Sequence, residues 1–243
     1  MLNYVEYGKE NKYDDDIFFQ KYSQMSRSQQ GLAGAGEWET LRKLLPDFKD
    51  KRVLDLGCGY GWHCIYAMEH GASSVVGVDI SHKMLEVAKE KTHFPQVEYK
   101  CCAIEDVEFP EESFDVILSS LAFHYVADYE ILVKKIYRIL KSGGNLVFTV
   151  EHPVFTAYGT QDWYYNEKGE ILHFPVDNYY YEGKRTAVFL GEKVTKFHRT
   201  LTTYLNTLLS NGFIINHIVE PQPPENMMDI PGMQDEMRRP MML

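Results

Sequence analysis

The 243-residue sequence has little of what marks membrane, secreted or zinc-stabilised proteins. It contains no run of about 18 apolar residues, which a transmembrane helix would need. Its first residues, MLNYVEYGKENKYDDD, lack the basic start and apolar core of a signal peptide. Only four cysteines occur, and none forms the C-x-x-C pair typical of structural zinc sites. We therefore expect a cytoplasmic protein with no membrane span, no bound metal and four reduced, mostly buried thiols.

Positive charge is also scarce. The chain has 25 Lys and Arg against 35 Asp and Glu, a formal net charge of −10. A net acidic surface repels a phosphate backbone, so a nucleic-acid partner is disfavoured. The content of 44% hydrophobic and 25% charged residues is ordinary for a globular protein, and the length allows one large α/β domain or two small ones.

Strand and helix patterns alternate between residues 51 and 151. Apolar runs predict strands at 53–56, 74–79, 97–101, 114–119 and 145–150, and the segments between them predict helices at 60–70, 82–91 and 128–140. This alternation is typical of a parallel sheet with helices on both faces. Ligands of such sheets bind beyond the carboxyl ends of the strands, at the switch point beside the first strand.

The flanking segments are interpreted as parts of the same domain. Helical patterns at 14–30 and 37–45 make residues 1–50 an N-terminal helical cap, and residues 51–151 form the ligand-binding core. An N-E-K-G turn at 166–169 predicts an antiparallel hairpin, so residues 152–198 form an aromatic, β-rich insertion that either packs as a small core or closes as a lid. An exposed apolar face on it could instead make a homodimer.

The last segment, residues 199–243, completes the predicted fold. We expect a helix from Leu201 to Gly212, a sixth strand at 213–219, and Met241–Leu243 as the end of a short last strand. The fold class is then α/β, a doubly wound sheet of seven strands with an insertion after the fifth.

The strongest functional signal is D-L-G-C-G-Y-G at residues 55–61, between a strand and a helix. Glycines let the backbone turn tightly and let a ligand approach, and the helix that follows offers free N–H groups. Asp79 ends the next strand, where a carboxylate can accept both ribose hydroxyl hydrogens. The G-x-G-x-G spacing and the nearby Asp55 suit a cationic nucleoside better than a pyrophosphate.

Four successive motifs, VLDLGCGYGWH, VVGVD, IEDVEFPEESFDVILSSLAFHYV and LKSGGNLVF, resemble those of class I S-adenosylmethionine-dependent methyltransferases. Among these they most resemble the methyltransferase type 11 domain family. The resemblance implies a Rossmann-like fold and S-adenosylmethionine as cofactor. The residues that it assigns to the cofactor are Asp55, Gly57, Cys58, Gly59, Gly61, Asp79, Ile80, Ile104, Glu105 and Ser119.

The resemblance also implies individual roles. Asp55 would lie near the methionine amine, directly or through water, and the Ser119 carbonyl would bind the same amine. Asp79 would hold the ribose, Ile80 would pack on adenine, and Ile104 and Glu105 would flank the adenine edge. Relatives often have an acidic residue where this chain has Ala103, so Glu105, Asp106 or backbone groups would have to bind the adenine amine instead.

Methyl transfer from a sulfonium is an in-line displacement that mainly requires alignment and exclusion of water, so a general base is optional. His124 and His152 follow the fourth and fifth predicted strands and are our candidates for a base or an acceptor contact. Either could instead pack, and Pro153 favours a structural turn at His152. Arg27 could pair with the methionine carboxylate or lie exposed without a partner.

The predicted function is methyl transfer from S-adenosylmethionine to a small-molecule acceptor. The fourth strand lacks the N-P-P-Y loop of many nucleic-acid amino-methyltransferases, and no Pro-Cys nucleophile is present. Three alternatives stay open: a nucleotide-dependent oxidoreductase, a non-catalytic S-adenosylmethionine-binding module, and a methyltransferase acting on protein or RNA.

Overall fold

The computed structural model describes residue 9 and residues 11–243. The prediction that no signal peptide is present rests partly on residues 1–8 and 10, which lie outside the described residues. Within the described part, no helix is both long and apolar enough to span a bilayer, and no group of three or more His, Cys, Asp or Glu side chains could hold a metal ion.

The N-terminal segment forms three short helices, α1 (Asp16–Ser23), α2 (Ser26–Gln29) and α3 (Trp38–Leu44). Asp15 begins α1, because its side chain accepts the N–H groups of Ile17 and Phe18. The single helix predicted over 14–30 is wrong, since Met25 is extended and separates α1 from α2. A side-chain hydrogen bond accompanies this break. The Ser28 hydroxyl donates to the Tyr22 carbonyl at 2.7 Å and so competes with the backbone N–H that would bind this carbonyl in a continuous helix.

The central sheet has five parallel strands in the order β3-β2-β1-β4-β5. Along the chain the elements are β1 (Arg52–Leu56), α4 (Trp62–Glu69), β2 (Ser74–Asp79), α5 (His82–Lys91), β3 (Val97–Cys101), β4 (Phe114–Ser120), α6 (Tyr129–Ile139) and β5 (Leu140–Thr149). The predicted α/β architecture is confirmed. Strands β2 and β3 are added on one side of β1, and β4 and β5 are added on its other side. The switch point for a ligand therefore lies between β1 and β4.

The predicted start of the fifth strand is wrong. Leu140 leaves α6 and pairs at once with Phe114, and Val116 then pairs with Asn145, so the residues between bulge out of the ladder. Gly143 supplies the left-handed turn that this bulge needs, with φ of +74°. The glycines therefore sit within β5 rather than before it.

Beyond β5 the structure has helix α7 (Pro153–Ala157) and two antiparallel hairpins, β6 (Tyr164–Tyr165) with β7 (Ile171–His173) and β8 (Gly183–Phe189) with β9 (Glu192–His198). The first hairpin turns at the predicted N-E-K-G segment. The second turns at Leu190 and Gly191, both with positive φ, and was not foreseen. Helices α8 (Leu201–Ser210) and α9 (Met233–Glu236) follow.

The described residues give a central sheet of five strands, not seven. No strand forms at 213–219, so that prediction is wrong. Phe213 and Ile215 pack on the core, while Ile214 between them is 85% exposed. The alternation of buried and exposed side chains is therefore present, but no neighbouring strand of the described part forms hydrogen bonds with this backbone. Met241–Leu243 lies antiparallel beside the chain that leaves β5, where Val150 and Leu243 exchange two backbone hydrogen bonds of 2.9 Å. It forms one isolated bridge, between Glu151 and Met242.

The core lies on both faces of the sheet. Helices α6 and α8 cover one face, around Phe114, Ile136 and Tyr204, and α4 and α5 cover the other. All four cysteines are free, but only Cys58 and Cys64 are buried, whereas Cys101 is exposed and Cys102 is partly exposed. The expectation of mostly buried thiols is corrected accordingly, because Cys101 is the last residue of the edge strand β3 and Cys102 follows it.

Candidate active site

One cavity of about 210 Å³ lies at the carboxyl ends of the strands. It is far larger than the roughly 10–15 Å³ that a single water needs. Each strand contributes lining residues: Gly57 and Gly59 after β1, Asp79 and Ile80 at β2, Ala103, Ile104 and Glu105 after β3, Ser120–Ala122 and His124–Val126 at and after β4, and Glu151 after β5. The rest of the wall comes from the N-terminal segment, from α5, from the segment that follows β5 and from the C-terminus: Lys9, Tyr13, Tyr22, Met25, Arg27, Met84, Phe189, Met241 and Met242.

The glycine loop is held against β2. The N–H groups of Gly57 and Cys58 both donate to the Val78 carbonyl, at 2.8 and 2.9 Å. Gly57 and Gly59 have φ of +77° and +52°, which disfavour other residues. A Cβ at Gly57 would lie 2.4 Å from the Ala122 Cβ, whereas a Cβ at Gly59 would meet no atom within 4 Å. Gly57 is thus required by packing, and Gly59 keeps open the space in front of the loop.

Asp79 presents a fixed carboxylate to this space. Its Oδ2 accepts the Gly59 N–H at 2.8 Å and its Oδ1 accepts the Ser81 N–H at 2.9 Å. Each carboxylate oxygen has a second lone pair, so both can accept a further hydroxyl hydrogen. Burial raises the pKa of Asp79 to about 6, against the effect of the two N–H donors, so the group is ionised at neutral pH.

Asp55 lies beneath the loop and does not line the cavity. It is 1% exposed, and the Cys64 thiol donates to its Oδ2 at 3.4 Å. Its Oδ1 is buried without a hydrogen-bond partner among the described residues. Burial raises the pKa of Asp55 to about 7. The side chain turns toward α4, and its predicted place near a ligand amine, directly or through water, stays a prediction.

Three other predicted residues also lie outside the cavity wall. The Ser119 hydroxyl donates to the Leu56 carbonyl at 2.7 Å and joins β4 to β1. Ser120 and residues after it line the cavity, and binding of a ligand amine by the Ser119 carbonyl stays a prediction. Cys58 turns into the core. Gly61 packs against Tyr99, whose Oη would be 2.1 Å from an added Cβ.

Arg27 lines the cavity but has a partner that the sequence did not indicate. One of its guanidinium nitrogens lies 2.9 and 3.1 Å from the two carboxylate oxygens of Glu37, which is 3% exposed. The alternative of an exposed arginine without a partner is therefore wrong, and pairing with the methionine carboxylate stays a prediction.

The N-terminal segment closes one side of the cavity. Asp14 docks it on the first turn of α5, where its Oδ1 accepts the Ser81 hydroxyl at 2.6 Å and the Lys83 N–H at 3.1 Å. The Tyr13 hydroxyl lies 3.3 Å from the Tyr125 hydroxyl across the cavity edge. Asp14 therefore binds the first turn of a helix elsewhere in the chain, whereas its neighbour Asp15 caps α1.

The opposite end of the cavity holds His124 and Glu151. His124 is 2% exposed, and its Nδ1 accepts the Glu151 backbone N–H at 3.4 Å. Burial lowers the pKa of His124 to about 4, so the ring is neutral at physiological pH. Because Nδ1 is the acceptor, the neutral ring carries its proton on Nε2.

His152 is not placed at the cavity, which corrects its prediction as an acceptor contact. Its Nδ1 accepts the Val154 N–H at 3.0 Å and so caps α7, and its Nε2 lies 2.8 Å from Glu220 Oε1. Successive side chains of an extended segment point to opposite sides, so Glu151 faces the cavity and His152 faces away. Glu151 is the residue that the sequence reasoning missed.

The predicted aromatic lid is mostly absent from the wall, to which Phe189 alone contributes among the described aromatic residues of 152–198. Phe174 stacks on Phe155 and contacts Trp163 edge-on, and the Arg239 guanidinium lies 4.4 to 4.9 Å from all three rings. These aromatics pack as a small separate cluster.

The comparisons agree with this geometry. Residues 54–148 match a family model described as a methyltransferase domain. A crystal structure from Mesorhizobium loti, of an S-adenosylmethionine-dependent methyltransferase, is 40% identical, with a TM-score of 0.80, and the alignment covers 87% of this chain and 97% of that one. The chain belongs to the S-adenosylmethionine-dependent methyltransferases.

Two further relatives of this methyltransferase differ in how much they share. A Listeria monocytogenes protein of known structure, proposed to have the same activity, is 58% identical, with a TM-score of 0.83 and coverage of 87% and 96% of the two chains. A ubiquinone biosynthesis O-methyltransferase of Coxiella burnetii is 35% identical over 112 residues, which is 45% of this chain and 47% of that protein. The oxidoreductase alternative is set aside by the family.

The residues present fit S-adenosylmethionine. The open approach at Gly59 and the two free lone pairs of Asp79 suit the ribose, and the uncharged wall at Ile80 and Ile104 suits a flat adenine ring. The same cavity is also lined by His124 and Glu151, which follow β4 and β5.

Proposed function

We propose that this methyltransferase transfers the methyl group of S-adenosylmethionine to a small-molecule acceptor bound in the same cavity. The observation that carries the proposal is the continuity of that cavity from Asp79 at β2 to Glu151 after β5. The cofactor supplies a methyl group on a positively charged sulphur. The chain has to hold the ribose on Asp79, align the acceptor and exclude water, and an in-line displacement requires little more.

The charges around the cavity support a small acceptor over RNA. Two cationic side chains occur among the described residues of its wall, Lys9 and Arg27, and each is paired, with Asp106 and with Glu37 respectively. A phosphate backbone would need unpaired cations near the opening, and the formal net charge of −10 opposes its approach. The Coxiella relative, named for an O-methylation, supports a small acceptor only over the half of its length that matches.

The flanking segments have matching roles in this proposal. Residues of 1–50 cover the cofactor end through Tyr13 and Tyr22, and the 152–198 segment contributes Phe189 to the acceptor end. A reducing compartment such as the cytoplasm suits the four free thiols.

Transfer of radiolabelled methyl groups tests the proposal. The protein is incubated with labelled S-adenosylmethionine and, in separate reactions, with a small-molecule extract, total RNA and a protein extract. We expect label in the small-molecule fraction, and much less of it when Asp79→Ala replaces the wild type at a low concentration of S-adenosylmethionine. Label recovered in RNA or protein instead would contradict the small-molecule acceptor.

A further inference from the structure

A buried polar cluster stands at the acceptor end of the cavity, formed by Glu151, Gln161 and Lys196. Glu151 Oε1 lies 2.5 Å from the Lys196 ammonium, and its Oε2 accepts the Gln161 amide N–H at 2.6 Å. The ammonium also donates to Gln161 Oε1 at 2.9 Å. The three side chains therefore close a ring of hydrogen bonds that fixes the plane of the carboxylate.

Forming this cluster is unfavourable for the stability of the folded protein in two respects. Lys196 is 2% exposed, and a buried ammonium without a partner would be strongly destabilising. Gln161 has φ of +59°, a left-handed conformation that is strained for a residue with a side chain. Strain and buried charge held together behind one carboxylate point to a function for that carboxylate.

Only Glu151 of the three lines the cavity. Each of its oxygens holds one donor and has a lone pair left, so the carboxylate can accept a hydrogen from a ligand. Burial alone would raise the pKa of Glu151, but neighbouring Lys196, His124 and Gln161 outweigh that effect and lower it, so the group is ionised. His124 cannot take a proton at Nδ1 while that atom accepts the Glu151 N–H.

The charges at this end select the acceptor. Lys196 already neutralises Glu151, and a sulfonium brings a positive charge, so an ammonium acceptor would add a second uncompensated cation. An ionised carboxylate or phosphate acceptor has no hydrogen to donate to the Glu151 oxygens, whereas a hydroxyl has one. The remaining wall is apolar or aromatic, with Tyr125, Phe189, Met241 and Met242. A neutral hydroxyl on an apolar body fits these surroundings.

We propose that Glu151 is the catalytic residue that binds a neutral acceptor hydroxyl and takes its proton during methyl transfer. The inference rests on the proposed function. The S–CH₃ bond breaks with its electron pair going to sulphur, an oxygen lone pair forms the O–CH₃ bond, and the O–H proton passes to Glu151. The products are a neutral sulfide, a methyl ether and a protonated Glu151, so the total charge is unchanged.

A carboxylate with a low pKa is sufficient for this step. The acceptor oxygen becomes strongly acidic only as the new bond forms, so the proton leaves late and to a weak base. Lys196 and Gln161 act as positioning residues, since they touch Glu151 and not the cavity.

Binding of simple aromatic probes to the protein saturated with S-adenosylhomocysteine tests the inference. Phenol, catechol and 1-naphthol carry a neutral hydroxyl, benzoate is an anion and benzylamine is a cation at neutral pH. Dissociation constants are measured by calorimetry for the wild type, for Glu151→Gln, and for Glu151→Gln with Lys196→Met. The double variant leaves no unpaired buried ammonium, so it stays informative if the single variant does not fold. Glu167→Gln, an exposed carboxylate of the same segment, is the matched control.

We expect at least one phenol to bind the wild type and the control more tightly than benzoate or benzylamine, and to bind at least tenfold more weakly to the Glu151 variants. Methylation of that phenol should fall by at least a hundredfold in the same variants, with S-adenosylhomocysteine affinity unchanged. Equal phenol binding by a folded Glu151 variant, preference for benzoate or benzylamine, or no phenol binding would overturn the inference. Failure of S-adenosylhomocysteine itself to bind would instead count against the proposed function.

Discussion

Asp79 is the residue on which ribose binding depends. Two backbone N–H groups fix its carboxylate before any ligand arrives, so little ordering remains to be done on binding. We predict that Asp79→Ala weakens S-adenosylhomocysteine binding by about 1–3 kcal/mol, the range for lost hydrogen bonds to a charged group. Calorimetry measures this, with the exposed Asp229→Ala as control. An unchanged affinity would remove Asp79 from the ribose site.

The raised pKa of Asp79 adds a pH dependence. Only the ionised carboxylate accepts hydrogen bonds from both ribose hydroxyls, and its pKa is about 6. S-adenosylhomocysteine affinity should therefore be level above about pH 7 and fall as the pH drops through about 6. Asp79→Asn should bind more weakly at pH 8 and lose most of that dependence. A wild-type affinity that stays level down to pH 5 would contradict the assignment.

Asp55 affects stability as well as the site. Its pKa is raised by burial to about 7, so the folded state holds a proton that the unfolded chain releases near pH 4. The contribution of Asp55 to the free energy of unfolding therefore falls as the pH rises from about 4 to about 7. Asp55→Asn should be more stable than the wild type at pH 8, by at most about 4 kcal/mol at 1.4 kcal/mol per pKa unit, and the gap should close toward pH 4. Urea unfolding at both pH values measures it, and a gap independent of pH would be evidence against a buried carboxylate.

At the scale of elements, two glycines of the loop have different roles, because Gly57 is required by packing and Gly59 leaves space for a ligand. Gly57→Ala would place a Cβ 2.4 Å from the Ala122 Cβ, whereas Gly59→Ala would project into open space. Both substitutions cost about 1–2 kcal/mol in left-handed strain. We predict that Gly57→Ala lowers the melting temperature well beyond this, and that Gly59→Ala lowers it less but loses more ligand affinity. Thermal melts and calorimetry on the same samples decide, and the reverse ranking would contradict the loop geometry.

The elements also show what the sequence alone could predict. Strands β1 to β4 and helix α5 were predicted to within one or two residues, because a buried parallel strand is a short apolar run and Ser81 is a strong N-cap. The segment 213–219 misled because an alternating pattern records which side chains are buried, not whether the backbone has a partner strand. The sequence did not predict the bulge within β5 for the same reason, because apolar residues do not show where the backbone pairing with β4 begins.

At the scale of the whole molecule, the site combines residues that are far apart in sequence. Gly57, Gly59 and Asp79 were found from local motifs, since one loop and one strand end define them. Asp14 on α5, Glu37 on Arg27 and Lys196 on Glu151 were not, because each contact depends on how distant segments pack. Whether Glu151 or His152 faces the cavity depends on the register of this extended segment, because a shift by one residue exchanges its two sides. The residues of the segment alone do not specify that register; the segments packed beside it do.

The central claim is that one cavity holds the cofactor at Asp79 and the acceptor at Glu151. A crystal structure of the S-adenosylhomocysteine complex tests it most directly. The account predicts both ribose hydroxyls within hydrogen-bond distance of the Asp79 carboxylate, the adenine beside Ile80 and Ile104, and the sulphur facing the space in front of His124 and Glu151. A ribose bound away from Asp79, or a sulphur directed away from Glu151, would contradict it.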